Sequence, residues 1–181
     1  MTHPLVDQLR FARSEWIRAL QDITEQDARR QFPPMNCISW MIGHMAWQEQ
    51  MYWLERAQGR LVAPGLDHMV GVGRPASTPP LAQMWQVWHS VTDASDPYLD
   101  TLSGDELLNQ YTVDGKIKPA TIGTNLLRVT YHYWYHIGES QAVRQLLGHQ
   151  DLPQFVGDIH IDAPYRRETA DIADQIAVAT P

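Results

Sequence analysis

Two histidines four residues apart, His132 and His136, are the first groups in this sequence whose spacing suggests chemistry. Residues at that spacing share one face of a helix with Cβ atoms about 5–6 Å apart, so two imidazoles can reach one ion. A third histidine, His44, lies in a stretch that reads Cys37, Trp40, His44, Trp47, Met51, Leu54 at alternating steps of three and four. Those steps make a helical seam turned toward a core, and His44 breaks its apolar run. The stretch around the pair reads Val129, His132, His136, Glu139, Val143, Leu146, with two imidazoles and a carboxylate where packing would place aliphatics. Burying an unpartnered polar group costs about 1–3 kcal/mol, so three imidazoles converging in one core require something that compensates. One divalent metal ion held by His44, His132 and His136 would do so. Three protein ligands also leave a coordination position open for water or substrate, as in catalytic rather than structural zinc sites.

A hydrogen-bonded polar core is the competing reading of the same three residues. The zinc-protease helix motif does not apply, because Tyr133-Trp134-Tyr135 separates the pair and supplies no glutamate at the second position. Glu139 can serve as a general base, as an acceptor behind a ligand, as a fourth ligand or in a surface salt bridge; it is the candidate catalytic residue. Cys37, in a core seam, reads as a small apolar residue. His89 flanks another seam, and His3, His68, His149 and His160 fall in termini or loops, so none of these is assigned a role.

Four helices must position these groups. The first spans about Leu5 to Ile23, where Leu5, Leu9, Ala12, Trp16, Leu20 and Ile23 recur at helical spacing. Thr24, with Asp27 three residues on, caps a short turn that stops before Pro33 and Pro34. The second helix runs from about Ile38 to Gln58, with Asn36 or Ser39 near its cap and Gly59 just beyond its end. From Gly59 to Pro80 the chain collects prolines and glycines that no regular element tolerates, which predicts a long crossover. The third helix follows Pro79, and Leu81, Met84, Trp88, Val91, Ser95, Tyr98 and Leu102 carry its repeat, with a kink or break near Ser95 imposed by Pro97. A short helical turn and a small hairpin around Asp114-Gly115, ending at Pro119, lead into the fourth helix, about Thr121 to Leu147, stopped by Gly148. Beyond it the period fails, and only the last dozen residues have the pattern of a weak helix. The expected fold is all-α, a four-helix bundle running up-down-down-up with the long crossover between helices 2 and 3 and an irregular C-terminal tail. The expected division is a bundle over residues 1–148 and an extension over 149–181 packed on it.

At 181 residues the chain fits one core that needs no staples, and its single cysteine cannot form an internal disulfide. A reducing, cytoplasmic setting is expected. No stretch approaches the roughly 20 apolar residues of a membrane span, and no signal-peptide run opens the chain. Fourteen basic residues against 21 acidic ones give a net charge of -7 with no basic stripe, which argues against a nucleic-acid partner.

The blocks Asn36-Cys37-Ile38-Ser39-Trp40-Met41-Ile42-Gly43-His44 and His132-Tyr133-Trp134-Tyr135-His136-Ile137-Gly138-Glu139 resemble the DinB-like superfamily of helical metalloproteins. The resemblance covers roughly residues 5–148, and the family pattern of one histidine on the second helix and a pair on the fourth maps onto His44, His132 and His136. It implies one divalent ion, zinc or nickel first and iron next, and a transferase that activates a low-molecular-weight thiol toward a small-molecule substrate. A metal-dependent hydrolase using activated water and a non-catalytic metal-binding stress or interaction protein are the other readings. The last would be a homodimer through exposed aromatics such as Trp85 or Tyr131. Fold and site alone do not choose among these activities.

Overall fold

The computed structural model describes residues 2–154 and 156–164. It is mostly helical, with one two-stranded sheet. Helix α1 (Pro4–Leu20) starts with proline at its first position, and the His3 ring caps it by accepting from the Leu5 N–H, one of the donors that the first turn leaves without an intrahelical partner. Its apolar stripe, Val6, Leu9, Ala12, Trp16 and Ala19, is buried. The helix ends three residues before the expected Ile23, and Thr24 then caps the short α2 (Glu25–Ala28) by accepting from the Asp27 N–H.

Helix α3 (Ile38–Glu49) differs from its sequence reading in three ways. Its cap is Cys37, which makes no side-chain capping bond, rather than Asn36 or Ser39. Every residue from Cys37 to Ala46 is buried, so the helix runs through the interior instead of presenting one seam. At Gln50 the α-helix widens into a π-helical segment (Gln50–Arg56), which rotates the following side chains so that Tyr52, Trp53 and Leu54 are all buried. The Gln50 side chain anchors the crossover: its amide oxygen accepts from the N–H groups of Val62 and Ala63, and its nitrogen donates to the Ala63 carbonyl.

The crossover is not irregular throughout, as its prolines and glycines suggested, for it contains helix α4 (Leu66–Val70), whose Leu66 and Val70 are buried. Gly43 makes this approach feasible. A Cβ there would stand 2.4 Å from Met84 Sδ and 3.1 Å from Val70 Cγ1, so α4 and the next long helix both close onto α3 at a residue without a side chain. That next helix, α5 (Leu81–Leu99), continues through Ser95 without the expected break, because Pro97 falls in its last turn. A 3-10 turn (Glu106–Leu108) leads to β1 (Gln110–Val113) and β2 (Lys116–Thr121), antiparallel around Asp114-Gly115, whose φ angles of 51° and 72° make the tight hairpin turn expected there. The hairpin runs past Pro119 to Thr121, which caps α6 (Ile122–Leu146) by accepting from the Thr124 N–H. A last short helix, α7 (Ile159–Asp162), and its flanks lie on α1: Arg18 donates to the Gln154 carbonyl, Glu15 accepts from the Gly157 N–H, and Gln8 donates to the Ala163 carbonyl. The weak helix read from the last dozen residues lies outside the described residues. Among the described residues no helix is long and apolar enough to cross a membrane.

Helix α1 packs chiefly on α6, and α3 chiefly on α5. A buried polar network joins the two pairs. Arg13 of α1 donates to both carboxylate oxygens of Glu49 on α3, with Nε to Oε1 at 2.8 Å, and its Nη1 donates to Asp96 of α5 at 2.7 Å. The Tyr133 hydroxyl of α6 donates to Glu49 Oε1 at 2.5 Å and accepts from Trp88 Nε1 of α5 at 2.8 Å. Burial opposes the charge on Arg13, but the Glu49 carboxylate outweighs it and holds the guanidinium above its ordinary pKa. Burial and the same carboxylate push the Tyr133 phenol well above its usual range, so it keeps its proton and donates.

A buried ion pair deprived of one partner leaves an uncompensated charge, so Arg13→Met should destabilise the fold by about 3–5 kcal/mol, whereas the double variant Arg13→Met/Glu49→Leu should recover a large share of that loss. Urea unfolding of the two variants and the parent measures this; equal losses in both would show that the pair is not energetically coupled.

Candidate metal centre

His44 projects from the middle of α3, and His132 and His136 project from successive turns of α6. The His44 ring is stacked against two indoles of its own helix, Trp40 at 4.5 Å and 13° and Trp47 at 5.2 Å and 29°. Their positions four residues before and three after His44 put all three rings on one helix face. The edges of the His44 ring meet His132 at 5.0 Å and His136 at 5.4 Å, nearly at right angles. One ring nitrogen from each histidine lies within 4.8 Å of the other two.

Each imidazole is held from behind through Nδ1. His44 Nδ1 donates to the Val70 carbonyl at 2.8 Å, His132 Nδ1 to the Gln48 amide oxygen at 2.7 Å, and His136 Nδ1 to Glu139 Oε2 at 2.8 Å. All three acceptors are oxygens that cannot donate, which places the proton on Nδ1 and leaves a bare lone pair on each Nε2. The Val70 carbonyl belongs to the last turn of α4, where helix carbonyls lack an intrahelical partner, so the imidazole satisfies a group that the short helix cannot. Burial pushes the His44 pKa down to about 4, with the Val70 bond opposing and the neighbouring His136 reinforcing the shift. Burial, then the proximity of His136 and His44, lowers His132 to about 3. Both rings are therefore neutral at pH 7, the form that ligates metals.

The donor set fits a metal ion on one further observation. His136 Nε2 is buried and has no hydrogen-bond partner among the described residues. An orphaned acceptor of this kind costs free energy unless something binds it, and here it faces the other two histidines. The three histidines are thus placed to hold one metal ion. The polar-core alternative would pair the imidazoles with one another or with protein groups, and the bonds observed spend only Nδ1.

The structure brings together His44, His132 and His136 and sets Glu139 directly behind His136, its side chain 22% exposed. Gln48 and the Val70 carbonyl were not read from the sequence. Gln48 follows His44 by four residues and so carried a helical signal; a backbone carbonyl in the crossover carried none. Leu146, read as a seam residue, is 59% exposed, because the buried face of α6 keeps Val129, His136 and Val143 of that seam but takes in Tyr133 and Ser140 beside them. Trp85, offered as an exposed aromatic, is half-buried in a groove with Leu20 and Ile23, whereas Tyr131 is exposed. Cys37 is buried with its thiol against the Ser39 hydroxyl. His68, His89 and His160 are exposed, while His149 bridges Arg144 and Asp27. Tyr135, exposed with its ring 5.2 Å from His136, forms part of the rim of the site. Trp47 is shared with a neighbouring cleft that Met51, Glu55 and Lys118 also line beneath the hairpin.

Compared with known families, residues 8–140 match the DinB superfamily. No curated protein matches the chain.

Titrating metal-stripped protein with a divalent ion should saturate at one ion per chain, and His44→Ala, His132→Ala and His136→Ala should each abolish stoichiometric binding. Gln48→Leu, which removes only the acceptor behind His132, should weaken binding about 10–100-fold. Isothermal titration with elemental analysis measures both; wild-type saturation at zero ions would return the three histidines to the polar-core reading.

Proposed function

The chain belongs to the DinB superfamily, and from that premise we propose that it is a metal-dependent transferase that activates a low-molecular-weight thiol and directs its sulfur to a small electrophilic substrate. The observation that carries this reading is the donor set, three imidazoles each held by Nδ1, with His44 and His132 kept neutral by burial and the Nε2 of His136 buried and unpartnered among the described residues. A divalent ion bound by three neutral ligands keeps its full positive charge and, as a Lewis acid, lowers the pKa of a thiol or water toward neutrality.

The protein's own groups supply the rest. His44, His132 and His136 hold the ion, and Val70, Gln48 and Glu139 keep their rings from rotating. Glu139 bonds to His136 through Oε2, behind the ring, and its partly exposed carboxylate is the group we assign to take up, through an intervening water, the proton that the thiol gives up. Trp47 and Tyr135 flank the histidines as apolar surfaces against which an organic substrate can lie and displace water. Imidazole donors suit zinc, nickel, iron and copper alike, and among these we assign zinc or nickel first, with iron next. Exposed Tyr131 is the contact we assign to a homodimer.

Metal-loaded protein supplied with a panel of small thiols and a chromogenic electrophile should turn over, with His132→Ala reduced to background and Glu139→Gln slowed about 10²–10⁴-fold, the usual contribution of a positioned acid–base group. Product release followed by absorbance measures it. Turnover that persists with no thiol present would replace the transferase with the hydrolase reading, and no turnover above the His132→Ala control would favour the non-catalytic one.

A further inference from the structure

Helices α3 and α6 are tied to each other twice, through neighbouring residues on each. Gln48 of α3 accepts from His132 of α6 at 2.7 Å, and the next residues along, Glu49 and Tyr133, are bonded at 2.5 Å. Successive helical residues are rotated by about 100° around the axis, so a single bond between two helices leaves each free to roll, whereas two bonds at consecutive positions fix both rotations. The first bond lies at the rim of the histidine cluster and the second deep in the core, with Glu49 and Tyr133 both at 0% exposure. The inner bond is itself immobilised, because Arg13 holds the carboxylate and Trp88 Nε1 donates to the phenol oxygen at 2.8 Å.

Resting on the reading of the three histidines as a metal centre, we propose that Tyr133 and Glu49 are positioning residues for that centre, setting the roll of α6 against α3 and hence the direction in which His132 and His136 face His44. Neither is a candidate ligand, and the Tyr133 ring packs on Trp16 and Trp88, on the far side of α6 from the exposed Tyr135. Their influence reaches the ion only through the orientation of the helices. The phenol hydroxyl is the informative atom. Removing it leaves Glu49 paired with Arg13 and keeps the aromatic packing, so the latch is released at the cost of the one bond that Trp88 Nε1 makes to the phenol oxygen.

The test uses the full chain, Co(II) as the probe and three variants. Tyr133→Phe should fold, bind one Co(II) per chain about 10–100-fold more weakly than wild type, the usual penalty for disturbing the shell behind metal ligands, and show a shifted visible spectrum. Val6→Ala, a core truncation in α1 outside the latch, should lower stability while leaving Co(II) affinity and spectrum unchanged. If Tyr133→Phe does not fold, Trp88→Phe, which keeps the Tyr133–Glu49 bond but removes the indole N–H that orients the phenol, should shift affinity and spectrum in the same direction by a smaller amount. Affinity within twofold of wild type together with an unchanged spectrum in the folded latch variant would overturn the proposal, as would an equal change in Val6→Ala. Failure of wild type itself to bind Co(II) would instead remove the metal-centre reading on which the proposal stands.

Discussion

Glu49 is a carboxylate with no contact with solvent, and a charge in that position is tolerable only if other groups replace the water it has lost. Arg13 supplies the opposite charge from α1, Tyr133 a hydroxyl from α6, and Trp88 orders that hydroxyl from α5. Because each donor comes from a different helix, the need to solvate one anion dictates how four helices meet. Hydrophobic burial of Val6, Trp16, Met41, Leu126 and their neighbours supplies the bulk of the driving force, but apolar contacts alone tolerate sliding and rotation. The buried network does not, since any displacement strands a charge.

The same logic is repeated at smaller scale around the histidines. Each ring is fixed by an acceptor of a different kind, a backbone carbonyl for His44, a neutral amide for His132 and a carboxylate for His136. The three imidazoles are consequently unequal. His136 is paired with a negative group that strengthens it as a donor, while His132 rests on an uncharged one. Gln48 and Glu49 belong to adjacent residues with opposite duties, one facing the histidine cluster and one facing the core, so the end of α3 serves both arrangements at once.

Much of this was legible in the residues. The three histidines stood out because each interrupted an apolar repeat, and the starts of α1, α3, α5 and α6 followed from the period and from Pro79 and Thr121, whereas α1 stopped at Leu20 short of Ile23 and α3 gave way to the π-helical segment at Gln50. The hairpin followed from Asp114-Gly115. What escaped had no local periodic signature. Glu49 is the sole carboxylate between Cys37 and Leu54, and Arg13 sits at helical spacing from Leu9 and Trp16, yet their pairing depends on contacts across 36 residues. Helix α4 is too short for its period to show, and its stability comes from packing Leu66 and Val70 against α3. The π-helical turn after Glu49 breaks the assumption of a constant 3.6-residue repeat, which is why the seam drawn through Met51 was displaced by one step.

The stacking of His44 between Trp40 and Trp47 gives the molecule an optical property of its own. Indoles are the dominant fluorophores of a protein, and an excited indole exchanges charge and energy with whatever touches its face. Two of the seven are in contact with a ring of the histidine cluster, while Trp16, Trp53 and Trp88 are enclosed elsewhere in the interior. Emission from the first pair therefore reports the electronic state of that imidazole, and emission from the others supplies an internal reference within the same chain.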